Sequence, residues 1–448
     1  MKPPTFRIGP RTAGALLSGI GLSLLVPKSL LSAALGLELL AAGFWCWARA
    51  AEDASEQVKR WAWVRRPAIA LWLGMAIHMT TPAILHDVRL PLSGTYELLR
   101  WLEAITVAWA GLELVAALPL ARPYSDLPGP FLEMRPWLPV LLPAAGFMVL
   151  WRQSSHWIRV GPIGPWVAVL LLVTAALGTL RAFARRGWIA SLRWLAVADS
   201  ALAGMLVALN AAPPHTSLLL WIGAFGGHAC LLGSEVRGAV MRRGRLNTRM
   251  WRVAAWSALT ALYWPVLVAV GFGPTAPLGA IGFVMVALPA TLGAWVTVRR
   301  MVEAPERRRV PRPNPALTLS QLLALVVLAL GPVTLIFAWW SGTEPSGRAA
   351  FLALLPTVLG AGAATAVRRV QSLPGWDRLA RLGEHAPRLA GAAFRIVVGV
   401  EQRAVAFLGR LMRAATAPFH DLHTGDAQEY LLFLIGLGVL ALVLPLLQ

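Results

Sequence analysis

The sequence predicts an all-α polytopic membrane protein with about 13 transmembrane helices. Of its 448 residues, 57% are hydrophobic and only 14% are charged, whereas soluble domains carry about 25% charged residues. Apolar runs long enough to cross a bilayer, which takes about 20 residues, recur from one end of the chain to the other. Because backbone polar groups in lipid must be hydrogen-bonded within their own segment, these runs are predicted to be helices.

The predicted spans follow one another with mostly short connections. Their boundaries are residues 12–27, 29–49, 67–85, 98–121, 134–152, 162–184, 191–211, 215–240, 250–272, 276–298, 317–340, 347–367 and 427–447. The runs are too long and too continuous for the strands of a transmembrane barrel.

The positively charged residues alternate between the two sides of this arrangement. With the N-terminus on side one, the segments of side one hold 35 of the 41 Lys and Arg residues, and those of side two hold 6. Since Lys and Arg accumulate in cytoplasmic loops, we expect an N-terminus inside and a C-terminus outside a bacterial inner membrane. The net charge of +20 has the same explanation, and no nucleic-acid partner is predicted.

The segment 370–426 has a different pattern. Its arginines recur at about every seventh residue, at Arg381, Arg388, Arg395, Arg403 and Arg410, between regularly spaced apolar residues. This is typical of an amphipathic helix with a basic stripe. We expect it to lie along the cytoplasmic surface, against lipid headgroups or the ends of other helices. A solvated linker helix is the alternative.

Ionisable residues inside the predicted spans are candidates for a proton or ion path, because burying such a group in a bilayer is costly. They are Glu38, Glu103, Glu113, Asp199 and His228, with Glu97, Glu235 and Glu429 nearer the helix ends. Glu38 has no oppositely charged residue close to it in sequence. For each residue alone, a satisfied structural polar group at a helix contact is an equally good explanation.

Two prolines mark possible helix breaks. Pro119 and Pro265 lie within the fourth and ninth predicted spans, five helices apart. Proline interrupts the hydrogen-bond ladder, and transporters built from inverted repeats use paired broken helices to line a central site. This spacing suits two inverted five-helix repeats over residues 12–298. Two ordinary membrane prolines would give the same pattern.

No catalytic or cofactor-binding motif is present. The sequence contains no His-Glu-x-x-His, Gly-x-Ser-x-Gly, Walker or dinucleotide-binding pattern. Cys46 and Cys230 both lie in apolar runs, which excludes a disulfide framework, a cysteine-based zinc site and an iron–sulfur cluster. We therefore predict no cofactor, no metal and no catalytic site of its own.

Several segments, taken in order, resemble the antiporter-like subunits of respiratory complex I, membrane-bound hydrogenases, cation/proton antiporters and inorganic-carbon pumps. The matching segments are residues 30–44 with Leu37-Glu38-Leu39-Leu40, residues 183–209, residues 225–233, residues 256–272 and residues 422–432. The surface helix before the last span is also similar to that of the family's largest subunit. The family's first three helices have no counterpart in the sequence.

The resemblance implies a division of the chain. Residues 1–152 would be the first five-helix repeat and residues 153–298 the second. Residues 299–369 would form two additional spans, residues 370–426 the surface helix and residues 427–448 the last span.

The resemblance also implies roles for several residues. Glu38 matches the family's key glutamate, Arg193 stands in the place of a Lys-Arg pair, and His228 stands at a lysine position. Glu113 lies near the place of another lysine, and no lysine occurs after residue 59. An imidazole is mostly neutral at pH 7, so it can relay a proton but cannot replace a fixed positive charge. The lysine/glutamate axis would therefore be partial.

Our first hypothesis is a divergent, non-redox subunit of a proton-translocating complex, with a scaffolding role and a partial or vestigial proton path. Its partners would be other integral membrane subunits, lipids and a peripheral redox or hydration module. The second hypothesis is a stand-alone secondary transporter of an ion or small anion. The third, a membrane enzyme such as a lipid-linked transferase, lacks the acid-rich loop that it would need.

Overall fold

The structure of this protein is a computed structural model that describes part of the chain. The described residues are 10–49, 54–87, 93–115, 138–184, 188–211, 214–240, 266–267, 279–302 and 347–366, together with Arg403 and Arg410. Within them all regular secondary structure is helical, so the all-α prediction is confirmed for this part of the chain.

The described helices are numbered here in chain order. They are α1 (Pro10–Leu24), α2 (Leu30–Arg49), α3 (Ala54–Asp87), α4 (Ser93–Val115), α5 (Leu138–Arg152), α6 (Ser154–Trp157), α7 (Ile163–Ala184), α8 (Trp188–Ala208), α9 (Pro214–Val240), α10 (Gly279–Val302) and α11 (Gly347–Ala366).

Three of these helices contain segments long and apolar enough to cross a membrane, as expected of an integral membrane protein. The segments are Ile163–Phe183, Ser191–Ala208 and Ile281–Arg299. The total of about 13 spans stays a prediction. The predicted spans 317–340 and 427–447 lie outside the described residues, as does all of 250–272 except two helical residues.

Helix α3 begins earlier than the apolar run predicted. The run starts at residue 67, but the helix starts at Ala54. The preceding residues include good helix formers such as Glu, Gln, Lys and Arg, whose polarity hides the helix from a search for apolar runs. As a result Arg65 and Arg66 lie on a helix and not in a loop. Pro119 and Pro265, the predicted helix breaks, lie outside the described residues.

The helices pack mainly against their neighbours in sequence. Helices α1 to α5 form a chain of contacts in order, and α7, α8 and α9 form another. Helix α10 packs on α7 and α11 packs on α10, while α5 and α8 connect the two sets. Helix α8 contacts both α9 and α10, so side chains from these three helices can meet near the C-terminal end of α10.

Two glycines allow α1 and α2 to approach backbone to backbone. A Cβ atom on Gly21 would lie 2.6 Å from the carbonyl oxygen of Gly36, and one on Gly36 would lie 2.7 Å from that of Gly21. No larger residue fits at either position without moving a helix. Small residues at crossings of this kind are enriched in membrane helix pairs, where close van der Waals packing drives association.

The bundle is apolar on its outside and partly polar within. Large hydrophobic side chains are exposed on several helices, with Trp166 at 66% and Ile281 at 72%. Ionisable side chains such as Glu113, Asp199 and His228 are buried. An apolar surface of this kind can contact the hydrocarbon core of a bilayer. Ionisable groups in the interior of a membrane protein are candidates for functional residues.

The chain divides into two compact units, residues 1–391 and 392–448. Helices α1 to α11 all belong to the first unit. In the second, Arg403 and Arg410 are helical and exposed. The rest of the predicted surface helix lies outside the described residues.

Candidate functional site

Two consecutive arginines on α3 face carboxylates on the helices to either side. The Nε atom of Arg65 lies 3.9 Å from Oε1 of Glu38 on α2. The Nε atom of Arg66 lies 3.4 Å from Oε1 of Glu113 on α4. We call these four residues the arginine cluster. Successive residues of a helix point about 100° apart, so an Arg-Arg pair can reach two different neighbours.

The two ion pairs differ in their exposure. The side chains of Arg65 and Glu38 are 46% and 31% exposed, whereas Glu113 is 1% exposed and Arg66 23%. The arginine cluster thus runs from the protein surface to a buried carboxylate. Glu38 and Glu113, both predicted site residues, are placed on opposite sides of α3, and each lies beside a permanent positive charge.

A second group of polar side chains joins three helices of the second set. Nδ1 of His228 on α9 lies 2.5 Å from Oδ2 of Asp199 on α8. Nε2 of the same ring lies 3.2 Å from Oγ1 of Thr297 on α10. The His228 and Asp199 side chains are fully buried, and Thr297 is 1% exposed. We call these three residues the histidine–aspartate cluster.

One tautomer of His228 fits the hydrogen bond that Thr297 makes to the backbone. The hydroxyl of Thr297 donates to the carbonyl oxygen of Gly293 at 2.7 Å, so its oxygen accepts from Nε2–H of His228. One further proton is shared between Nδ1 and Asp199. The cluster then holds either an imidazolium and a carboxylate or an imidazole and a carboxylic acid, and both forms are neutral overall. Gain or loss of one proton leaves a buried net charge.

Stacked aromatic rings join α5 and α9. Trp221 on α9 stacks between Phe147 on α5 and Phe225 on α9, with centroid distances of 4.6 Å on each side. The indole Nε1–H of Trp221 donates to Oγ of Ser200 at 3.1 Å, and Ser200 directly follows Asp199. Aromatic stacking and the satisfied indole N–H of Trp221 therefore hold α5, α8 and α9 together.

Two other arginines lie on α7 and α8. Arg193, a predicted site residue, is six residues before Asp199 on α8, about 9 Å along the helix axis and on another face. The guanidinium of Arg181 on α7 is 3% exposed and lies 4.4 Å from the ring centre of Trp194 on α8. Arg181 therefore holds a buried positive charge against an aromatic face.

A third group lies where α3, α4 and α6 meet. Oε1 of Glu103 accepts from Nδ1 of His78 at 3.0 Å and from Nδ1 of His156 at 2.6 Å. The two imidazole rings meet edge to face, with centroids 5.1 Å apart. We call these three residues the two-histidine cluster. Glu103 was expected to be a membrane-embedded charge, and the structure gives it two partners.

The sequence predicted some members of these clusters and missed others. Glu38, Glu113, Asp199 and His228 stood out as charges within apolar runs. Arg65 and Arg66 were overlooked because they looked like loop residues; the polar helical run before residue 67 was the signal that could have placed them on α3. Thr297 carried no signal, since membrane helices commonly contain threonine.

No protein-family model matches this sequence. No curated protein matches it either. Among solved structures, a chain of the Mrp complex from Dietzia sp. DQ12-45-1b has a TM-score of 0.61 to this chain, with 16% sequence identity. The match covers 96% of this chain and 51% of that one, so this chain spans about half the length of its neighbour. At this identity the likeness concerns the fold alone. The chain is thus an integral membrane protein that shares its fold with a chain of the Mrp complex.

Proposed function

We propose that this chain is a proton-conducting, antiporter-like subunit of a multisubunit membrane complex. A cation/proton antiporter is the class of complex that the structural likeness favours. Complex I-like, hydrogenase-like and carbon-pump-like assemblies are the other members of the family that the sequence resembles. They would add a peripheral redox or hydration module.

The observation that carries the proposal is the position of His228 between Asp199 and Thr297. An imidazole with a hydrogen-bonding partner on each nitrogen can take a proton at one and release one from the other. The cluster is neutral with one shared proton, so a second proton makes it positive in a buried, low-dielectric site. That charge is costly, and its release is favoured once an acceptor comes within reach.

The arginine cluster supplies the electrostatic counterpart. Arg65 and Arg66 are permanently charged, and each lies beside a carboxylate. Glu38 is partly exposed and would act as the gate, while the buried Glu113 would be the next member of the path. A proton that arrives at either carboxylate weakens its ion pair, and the freed arginine charge then acts on the rest of the helix bundle.

The packing supports the two-repeat organisation that the sequence suggested. Helices α1 to α5 contact one another in order, and α7 to α10 form a second set. Pro143 inside α5 and Pro289 inside α10 are a further pair of helix-internal prolines, in the fifth and tenth predicted spans. Each repeat would then hold one charged cluster. In this proposal the N-terminus is cytoplasmic, and residues 370–426 brace neighbouring subunits.

The first test is purification from native membranes in mild detergent, followed by mass spectrometry of the associated proteins. We expect other integral membrane subunits in stoichiometric amounts. A chain that purifies alone and takes up an ion or small anion in vesicles would overturn the subunit proposal and support a stand-alone transporter.

The second test is proton flux through the reconstituted complex. Asp199→Asn keeps the shape of the side chain but cannot exchange the shared proton, so we expect flux to fall at least tenfold. The matched control is His215→Ala, because His215 is exposed at the start of α9. Unchanged flux in Asp199→Asn, with the complex intact, would reduce this chain to a scaffold.

A further inference from the structure

We propose that His78, Glu103 and His156 form a binding site for a divalent transition-metal cation, with zinc as the ion that they fit best. The three residues come from separate parts of the chain: His78 from α3, Glu103 from α4 and His156 from α6. None of the conduction steps above uses them. Their convergence on one point therefore requires a separate explanation.

The distances suit a single ion. One ligand atom from each residue lies within 4.8 Å of the other two. Zinc binds imidazole nitrogen and carboxylate oxygen at about 2.0–2.2 Å in tetrahedral geometry, which sets neighbouring ligand atoms about 3.3–3.5 Å apart. The distance of 3.0 Å from Glu103 to His78 therefore needs to lengthen by about 0.3–0.5 Å, and the distance of 2.6 Å from Glu103 to His156 by about 0.7–0.9 Å. Rotation of the partly exposed His78 ring can provide the smaller change, and the larger one requires a shift of the His156 ring.

The ligand types select the ion. Two imidazoles and one carboxylate favour zinc, copper or nickel, whereas magnesium and calcium prefer sites made of oxygen alone. Two histidines and a glutamate also form a known three-ligand zinc set that leaves the fourth position for water. The cluster resembles that set in composition and in number of ligands.

The burial of the three side chains fits a site that is anchored on the inside and reached from the outside. Glu103 is 9% exposed and His156 18%, but His78 is 52% exposed. An ion could thus reach the cluster past His78 and bind a carboxylate that the bundle holds in place. The exposed side also leaves room for a water molecule as the fourth ligand.

Metal binding requires the Nδ1 protons of His78 and His156 to leave. Without metal, Oε1 of Glu103 accepts from Nδ1 of both rings, so both Nδ1 atoms carry a proton. A metal ion takes these lone pairs only after the protons leave Nδ1. In a neutral ring the proton moves to Nε2 by exchange with solvent. In an imidazolium it is released, so binding should weaken as the pH falls.

The test is zinc binding to the metal-depleted, untagged chain in its purified complex. We expect one zinc ion per chain, measured by elemental analysis after equilibrium dialysis with excess Mg²⁺. His156→Gln and Glu103→Gln should each weaken this binding at least tenfold. The controls His215→Ala and the double change His420→Ala with His423→Ala, which leave the cluster intact, should bind as the unmodified chain does.

Cobalt substitution gives a second readout that needs no variant. Co²⁺ bound to this donor set in four-coordinate geometry should give intense visible absorption bands, which addition of zinc removes. The weak bands of six-coordinate cobalt would overturn the proposal. Zinc binding that survives His156→Gln unchanged, or no stoichiometric binding at all, would also overturn it. None of these measurements depends on proton flux, so the proposed function can fail independently.

Discussion

The arginine cluster and the histidine–aspartate cluster place polar groups in the same membrane bundle by opposite means. The arginine cluster sets two permanent positive charges against two carboxylates and reaches from the surface to the interior. The histidine–aspartate cluster is wholly buried and contains no permanently charged side chain, since both His228 and Asp199 can gain or lose a proton. One region therefore holds permanent charges, while the other holds only groups whose charge depends on their protons.

The two clusters also differ in how the cost of burying their charged groups is offset. Arg65 and Glu38 remain in partial contact with the exterior, where solvation or headgroups can share the cost of the charge. Asp199 and His228 have no such contact and depend on each other and on Thr297. Loss of one member should therefore matter most in the histidine–aspartate cluster, and this gives an ordered series of tests.

The largest expected effect is that of His228→Ala. This change leaves Asp199 buried without its partner, and breaking a buried pair in this way costs about 3–5 kcal/mol. Thermal or denaturant unfolding of the purified chain in detergent measures it, with His215→Ala as the matched surface control. A loss no larger than that of the control would mean that the buried pair contributes nothing to stability.

Next in size is Arg66→Ala, which removes the charge beside the buried Glu113. Removing the partner of a buried polar group costs about 1–3 kcal/mol, and we expect a loss of stability in that range. The double variant Arg66→Ala with Glu113→Gln should recover part of it, because the carboxylate charge is gone. Equal losses in the single and double variants would contradict a direct interaction.

Thr297→Val tests the third member of the histidine–aspartate cluster. The change keeps the size of the side chain but removes the acceptor for Nε2–H of His228. Hydrogen bonds between membrane helices contribute about 0.6–1.7 kcal/mol, so the loss should be smaller than for His228→Ala. A double-mutant cycle of the two changes should show coupling, and independent, additive effects would contradict the observed contact.

Arg65→Ala should have the smallest effect. Its pair with Glu38 is long and exposed, and such pairs contribute about 0–1 kcal/mol. The comparison with Arg66→Ala is the control, since the two arginines are adjacent on α3. An effect of Arg65→Ala as large as that of Arg66→Ala would mean that exposure does not distinguish the two ion pairs.

The sequence was most informative where one residue type stood out from its surroundings. A carboxylate or a histidine within an apolar run is visible without any structure, and Asp199 and His228 were found in this way. Arg65 and Arg66 were missed because arginine at the edge of an apolar run usually belongs to a loop. His78 was missed although it lies within the predicted span 67–85, and His156 lies between two predicted spans; only the structure shows that both contact Glu103.

By itself, the sequence determined that the chain is helical and membrane-embedded. An apolar run of about 20 residues is long enough to cross a bilayer as a helix, and a helix satisfies the backbone hydrogen bonds within the run. It also determined which ionisable groups lie within the apolar runs. Only the tertiary structure decided which of them meet. His228 with Asp199 and Thr297, and Glu103 with two histidines, are contacts between helices far apart in the chain. Such pairings depend on the packing of one helix against another, which periodicity along a single helix does not encode.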